Sequence, residues 1–302
     1  MPHVQLKIED EAAPDFAPGV VEILNSAFAP ENPTPAREAA QAIDALCIED
    51  YEKNGTASST LWWFWDLIHD LARQVPYDSP EQDRLAAVIQ ALHDLPPKTV
   101  NLGEDWGLGS QNPVEIWTKF PMFGNTLYDK LNGDNDSRAP GEVQKKERRV
   151  NMQAYAARVA GLGLVPFETY AIWALVDALE GTMTPIRGAP DEVNEDPAAV
   201  EDISYKVKAA AMWIIHGGHL LYGRDEEVTG ATAGPLWRLP KKEANKLRRK
   251  FRGTDGLCPL RWQLWKERFA VIRDTDALDA VTRKQAGDAY AAMDKVEKSQ
   301  GA

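Results

Sequence analysis

One run of this sequence has no charge on any face: "AAAMWIIHGGHLLY", residues 209–222. A bilayer span takes roughly 20 apolar residues, so this run is too short to cross a membrane. It makes about four helical turns, and a helix with no polar side belongs inside other helices. The chain must therefore supply a shell of further helices around it. Gly217 and Gly218 each cost roughly 1 kcal/mol in a helix interior, a cost that a close neighbour or a bound ligand would justify.

The punctuation of the sequence supplies that shell. Thr34-Pro35 reads as an N-cap followed by the first helical position. Ala39, Ala40, Ile43, Leu46 and Cys47 then recur at helical spacing until Asn54-Gly55. Residues 59–74 follow. In "YDSPEQDRLAAVIQALHDLPP" Ser79 caps, Pro80 begins the helix and Gln82 stands where a capping-box partner belongs. Further helices are expected after Asn112-Pro113, in "FGNTLYDKLN", at about 141–161, 166–180 and 202–222, in a basic stretch at 241–251, in "PLRWQLWKERFAVI" and at 276–298. Residues 98–112, 132–141, 223–239 and the acidic "GTMTPIRGAPDEVNEDP" read as loops. The expected class is all-α: a single large multi-helix domain of about nine or ten helices over residues 33–300, after an N-terminal extension, residues 1–32, with no significant sheet.

Ten tryptophans in 302 residues raise the question of a ligand box. On a helical wheel, Leu61, Phe64, Ile68 and Leu71 form one stripe, and Trp62, Trp65, His69 and Ala72 form its neighbour. Trp262, Trp265, Phe269 and Ile272 recur at i, i+3, i+7 and i+10. Such stripes are the buried faces of packed helices, with the indoles as wide fillers. A large bundle can still keep a pocket between its members.

Charge and motifs narrow the chemistry. A net charge of −12 argues against nucleic acid as the default partner, since phosphate contacts need surplus Lys and Arg. Cys47 and Cys258 match no metal or redox spacing and suit a reducing compartment. "MPHVQLKIEDEAAPDF" is too polar and acidic for a secretory or transit signal, and no apolar run reaches membrane length. A soluble cytoplasmic protein without a membrane contact is expected. No Walker loop, dinucleotide fingerprint or Gly-x-Ser-x-Gly elbow is present, so no cofactor is expected. No Glu stands three residues before any of the five histidines, which removes the usual di-metal motif, and no metal site is expected.

What remains is a set of polar groups placed deep by sequence position. His216 and His219 lie on roughly one face of the charge-free run. Asp177 lies in "VPFETYAIWALVDALEG", one turn after Trp173 and two after Tyr170, with Glu168 and Glu180 on the same helix. A buried imidazole beside a carboxylate holds one tautomer and can act as a base. The candidate catalytic residues are therefore His216, His219 and Asp177. The candidate ligand-binding walls are Trp65, His69, Tyr170, Trp173 and Trp213. The same histidines also fit the commoner role of internally bonded core residues. A separate feature is "KKEANKLRRKFR", residues 241–252, seven positive charges against one negative. It is either a solvated helix face or a contact for an acidic partner.

The segments "LWWFWDLIHDLARQVPYDSPEQDRLAAVIQAL", "IWTKFPMFGNTLYDKLN", "ERRVNMQAYAARVAGLGL", "AAAMWIIHGGHLLY", "GPLW" and "RWQLWKERFAVI" together resemble a fungal family known as domain of unknown function 3632. The resemblance covers roughly residues 56–274. It implies a fungal, soluble, helix-rich protein and no activity. Two functions of different class follow from the residues. One is a small-molecule site between central helices, of the kind a cofactor-independent acid/base isomerase or cyclase uses. The other is a non-enzymatic interaction protein that binds a partner through its helical surface and the segment 241–252. Oligomeric state, ligand and reaction have no signature in the sequence.

Overall fold

The computed structural model describes residues 4–31, 33–103, 113–132, 141–188, 190–237 and 256–300. The expected helix at 241–252, and most of the expected loops at 98–112 and 132–141, lie outside the described residues. Among the described residues are ten helices of ten or more residues, with three short antiparallel strand pairs. The class is mainly α with no significant sheet, as the 3.6-residue periodicity predicts. The chain divides into two compact units, Met1–Tyr155 and Ala156–Ala302.

The first unit contains α1 (Ala17–Phe28), α2 (Ala36–Asn54), α3 (Ser58–Ala72), α4 (Pro80–His93), the pair β1 (Thr99–Val100) and β2 (Val114–Glu115), the single turn α5 (Ile116–Lys119), α6 (Phe123–Asn132) and most of α7 (Glu142–Gly161). Helix α2 packs on α1 and α4, and α3 packs on α6. The α3 stripe is the core: Leu61, Phe64, Trp65, Ile68, His69 and Leu71 are fully buried. Trp65 is met edge-on by Phe64, Trp117, Phe120 and Phe123 at centroid distances of 4.7–6.0 Å, the geometry that the ring quadrupoles favour. Its indole N–H donates to the Pro121 carbonyl at 3.0 Å. Phe120 and Met122, on either side of that proline, both have positive φ, 44° and 71°. This strained turn buries both side chains and places the Pro121 carbonyl against Trp65.

The second unit begins in the last turns of α7. It continues with α8 (Glu168–Leu179), the hairpin β3 (Thr182–Thr184) and β4 (Glu192–Asn194), a 3-10 turn (Pro197–Ala199), α9 (Ile203–Leu221), the pair β5 (Glu226–Glu227) and β6 (Gly256–Leu257), α10 (Pro259–Asp274) and α11 (Ala280–Gln300). The charge-free run forms the last turns of α9, which packs between α8 and α11, while α10 packs on α11 and α8. The second tryptophan stripe is buried as expected: Trp262, Trp265, Phe269 and Ile272 are at most 4% exposed.

Four local readings need correction. Residues 17–28 of the supposed extension form α1, whose Val20, Leu24 and Phe28 are fully buried. The capping box at Ser79 does not form. The fully buried Gln82 amide instead donates to the carbonyls of Val75 at 2.8 Å and Asn151 at 3.2 Å, since a buried donor left unpaired is costly. The acidic loop after Gly181 contains the hairpin β3–β4. Finally, α9 is not enclosed all round. Ile215 and His219 are exposed and His216 is half-buried, because its neighbours leave one strip uncovered and an apolar residue on a surface is common.

The glycines of α9 answer their question in favour of neighbours. A Cβ on Gly218 would lie 3.5 Å from the Trp262 ring and 3.8 Å from Val296, so α10 and α11 fill that space. The tightest approach to α9 is made by Gly161, where an added Cβ would lie 2.2 Å from the His216 carbonyl oxygen. Backbone cannot yield there, so Gly161→Ala is expected to destabilise by about 1–3 kcal/mol. Gly124→Ala in α6, which meets nothing within 4 Å, should be neutral or slightly stabilising. Urea unfolding of the two variants checks this; equal midpoints would contradict the close crossing.

Candidate functional site

Each candidate side chain has a definite place. His69 is fully buried in α3. Its Nε2 faces the Phe123 carbonyl at 3.3 Å and the Thr126 hydroxyl at 3.1 Å. A carbonyl only accepts, so Nε2 carries the proton and Nδ1 is bare. Nδ1 is buried without a hydrogen-bond partner, and so is the Tyr155 hydroxyl, whose ring lies 5.7 Å from the imidazole. Trp65 and Phe123 complete the enclosure. Desolvation, aided by the nearby Lys130 and Arg73 charges, outweighs the Phe123 carbonyl and Asp70 and lowers the His69 pKa to about 3. At that value the ring is a weak base at neutral pH, far from the match between pKa and working pH that acid/base catalysis favours.

In the second unit the candidates separate. Trp213 is buried in α9. His219 is exposed, and its carbonyl accepts from the Gln300 amide at 3.0 Å. Asp177 faces solvent from α8. Tyr170 and Trp173 are half-buried and stack edge to face at 5.3 Å. The Trp173 indole donates to the Gly230 carbonyl at 2.9 Å and the Thr169 hydroxyl to that of Thr229 at 2.9 Å. Both therefore fasten the 229–230 loop to α8. Open grooves of about 690 Å³ beside residues 5–8 and about 550 Å³ on α11 are lined by none of these residues. Among the described residues, no three His, Cys, Asp or Glu side chains gather to hold a metal ion, and no helix is long and apolar enough to cross a membrane.

The deepest charges are Glu180 and Arg261, both fully buried. Glu180 Oε1 accepts from Arg261 Nε at 2.7 Å and from the Trp265 indole at 2.8 Å, while Oε2 accepts from the Gly234 amide at 2.6 Å. Arg261 also donates to the Gly256 carbonyl at 2.7 Å and the Thr232 carbonyl at 2.6 Å. Its guanidinium lies over the rings of Trp265 and Trp237. Gly234 is required here, since a Cβ would come within 2.4 Å of Glu180 Cβ. The sequence marks Glu180 as a carboxylate among apolar residues. Arg261 escapes it, although it stands one turn before Trp265, where a cation can cover an indole face.

This knot anchors the hairpin. The Glu180 carbonyl accepts from the Leu236 amide at 2.9 Å. Arg268, itself buried, donates to the carbonyls of Leu179 and Glu195 on either side of the two strands. In the hairpin Met183 pairs with Val193, Thr182 with Asn194 and Thr184 with Glu192. Cross-strand partners share a face, so Met183 and Val193 stand together, 42% and 51% exposed. On the other face the Asn194 amide donates to the Thr184 hydroxyl at 2.9 Å. Thr184 and Glu192 on that face are exposed as well, so the hairpin stands clear of the core with its apolar pair in water.

The profile of a family described as protein of unknown function (DUF3632) matches residues 65–269. No curated protein and no solved structure matches the chain.

The His69 geometry gives a pH dependence. Its folded pKa of about 3 lies below the ordinary 6.5, so the folded state binds fewer protons. The stability contributed by the neutral ring is complete above about pH 6.5 and is lost as pH falls toward 3, by about 1.4 kcal/mol per unit. Denaturant unfolding at pH 7, 6, 5 and 4 should show this slope in the parent and a shallower one in His69→Phe. Identical slopes would contradict it.

Proposed function

The chain belongs to the DUF3632 family of proteins of unknown function, and from that premise we propose that it is a cytoplasmic, non-enzymatic interaction protein that docks a partner on the hairpin β3–β4. The observation that carries this reading is the outward-facing pair Met183–Val193 on a hairpin whose base is held by Arg268 and the Glu180–Arg261 knot. An exposed apolar pair close to an anchored base loses little conformational freedom on binding, which favours association. Asp191, Glu192, Glu195 and Asp196 flank Val193, against the single basic residue Arg187 in the same segment. The partner this surface fits is a protein patch with apolar side chains rimmed by Lys or Arg. The acidic character of the whole chain points the same way.

An acid/base site built on His216, His219 and Asp177 draws less support. His219 and Asp177 are exposed, whereas an acid/base site sits in a concave, largely enclosed pocket.

A photo-crosslinking residue in place of Met183 should give one adduct of defined mass in extract of the source cells, and none from the exposed position Val281. Excess unlabelled parent should abolish the adduct. The Met183→Ser/Val193→Ser chain, melting like the parent, should compete at least tenfold less well. Equal adducts at both positions, or equal competition by the double variant, would sink the proposal.

A further inference from the structure

Residues 4–9, "VQLKIE", run extended along the first unit, and they are held as a bound peptide is held. The Leu6 N–H donates to Asn25 Oδ1 at 2.8 Å, and the Asn25 amide returns a bond to the Leu6 carbonyl at 3.1 Å. The next residue is gripped in the same manner: the Lys7 N–H donates to Gln74 Oε1 at 2.9 Å, and the Gln74 amide donates to the Lys7 carbonyl at 2.8 Å. In an antiparallel sheet, a neighbouring residue makes this same two-bond exchange with its opposite number. N–H and C=O of successive residues in an extended chain point to opposite edges. Asn25 of α1 and Gln74 after α3 therefore replace the two flanking strands that a central strand would have.

Two further contacts read side chains. Leu6 is 2% exposed, while Gln5 and Lys7 on either side are exposed, so one alternate position is anchored. Three residues on, the Glu9 carboxylate is taken by Arg148 of α7 in a bidentate pair at 2.9 and 2.5 Å. Beside the strand lies the open groove of about 690 Å³, lined by Gln5, Leu6, Ile8, Val21 and Asn25 among others.

We propose that Asn25, Gln74 and Arg148 form a binding site for an extended peptide of a partner protein, bearing a large aliphatic residue followed three positions later by a carboxylate, and that residues 4–9 occupy this site in cis. The amide forks recognise backbone alone, as in strand-addition modes of peptide binding. Affinity then comes from the main chain, and selectivity from the Leu6 pocket and Arg148. The inference is independent of the hairpin β3–β4, and either can fail without the other. Because the occupying segment is tethered, its effective concentration is on the order of millimolar. A partner peptide therefore competes with the chain's own strand, and occupancy reports release of that strand.

The test uses the full chain and a fluorescein-labelled peptide of residues 4–12. Leu6→Asp/Glu9→Arg unseats the cis strand while leaving Asn25, Gln74 and Arg148 unchanged. By fluorescence anisotropy the parent should not bind the peptide below about 1 mM, and the unseated chain should bind it with a micromolar Kd. Adding Asn25→Ala or Arg148→Ala should weaken binding at least tenfold, and a scrambled peptide should not bind. An unseated chain that unfolds cooperatively like the parent yet does not bind the peptide would overturn the proposal, as would unchanged binding after Asn25→Ala. If the unseated chain fails to fold, hydrogen exchange on the parent decides. The Leu6 and Lys7 amides should exchange through local release, far faster than the buried amides of α3. Exchange of those two amides only with global unfolding would make the strand an integral part of the fold and end the proposal.

Discussion

A carboxylate with no access to water organises the second unit. Glu180 ends α8 and receives the guanidinium of Arg261, the indole of Trp265 and the amide of Gly234. Burying an ion pair costs several kcal/mol per charge, repaid only when every remaining donor and acceptor is satisfied. Arg261 meets that demand by reaching two carbonyls and two aromatic faces. The geometry in turn sets the start of α10, the path of residues 232–237 and the base of β3–β4. The pair joins α8, α10 and residues 232–234 in one hydrogen-bond network. Among the described residues of the first unit, the buried carboxylates Asp44 and Asp70 pair with cations that keep some access to water. That unit uses an aromatic cluster around Trp65, with His69 kept neutral by burial.

This division bears on function. The buried titratable groups are committed to packing, His69 by its lowered pKa and Glu180 by its three donors. The proposed recognition surfaces draw on other groups: the exposed apolar pair Met183–Val193 with its acidic flanks, and the amides of Asn25 and Gln74 that hold residues 6 and 7.

Much of the fold was legible in the sequence. Pro80 and Pro259 stand at helix starts because a missing N–H does no harm there, and the Trp262–Trp265–Phe269–Ile272 stripe needs burial whatever its partners. The candidate site was less legible, for physical reasons. Freedom from charge in residues 209–222 marks a low cost of burial, not burial itself, so Ile215 and His219 could end at the surface. The strands of β3–β4 are three residues each, too short for alternation to register, and Pro185 and Gly188 between them read as loop. Asn25 and Gln74 are bonded to residues 19 and 67 positions away, and side-chain-to-backbone contacts of that span leave no periodic trace. Arg261 lies beside the tryptophan stripe, where an arginine ordinarily reaches solvent.

The measurement closest to the central claim is a double-mutant cycle on Glu180 and Arg261, by urea unfolding of Glu180→Leu, Arg261→Met and the double variant. If the pair organises the second unit, each single change strands a buried charge and costs about 3–5 kcal/mol, while removing both costs clearly less than the sum. Single changes worth under about 1 kcal/mol, and additive in the double variant, would place the two groups in water-like surroundings and contradict the account.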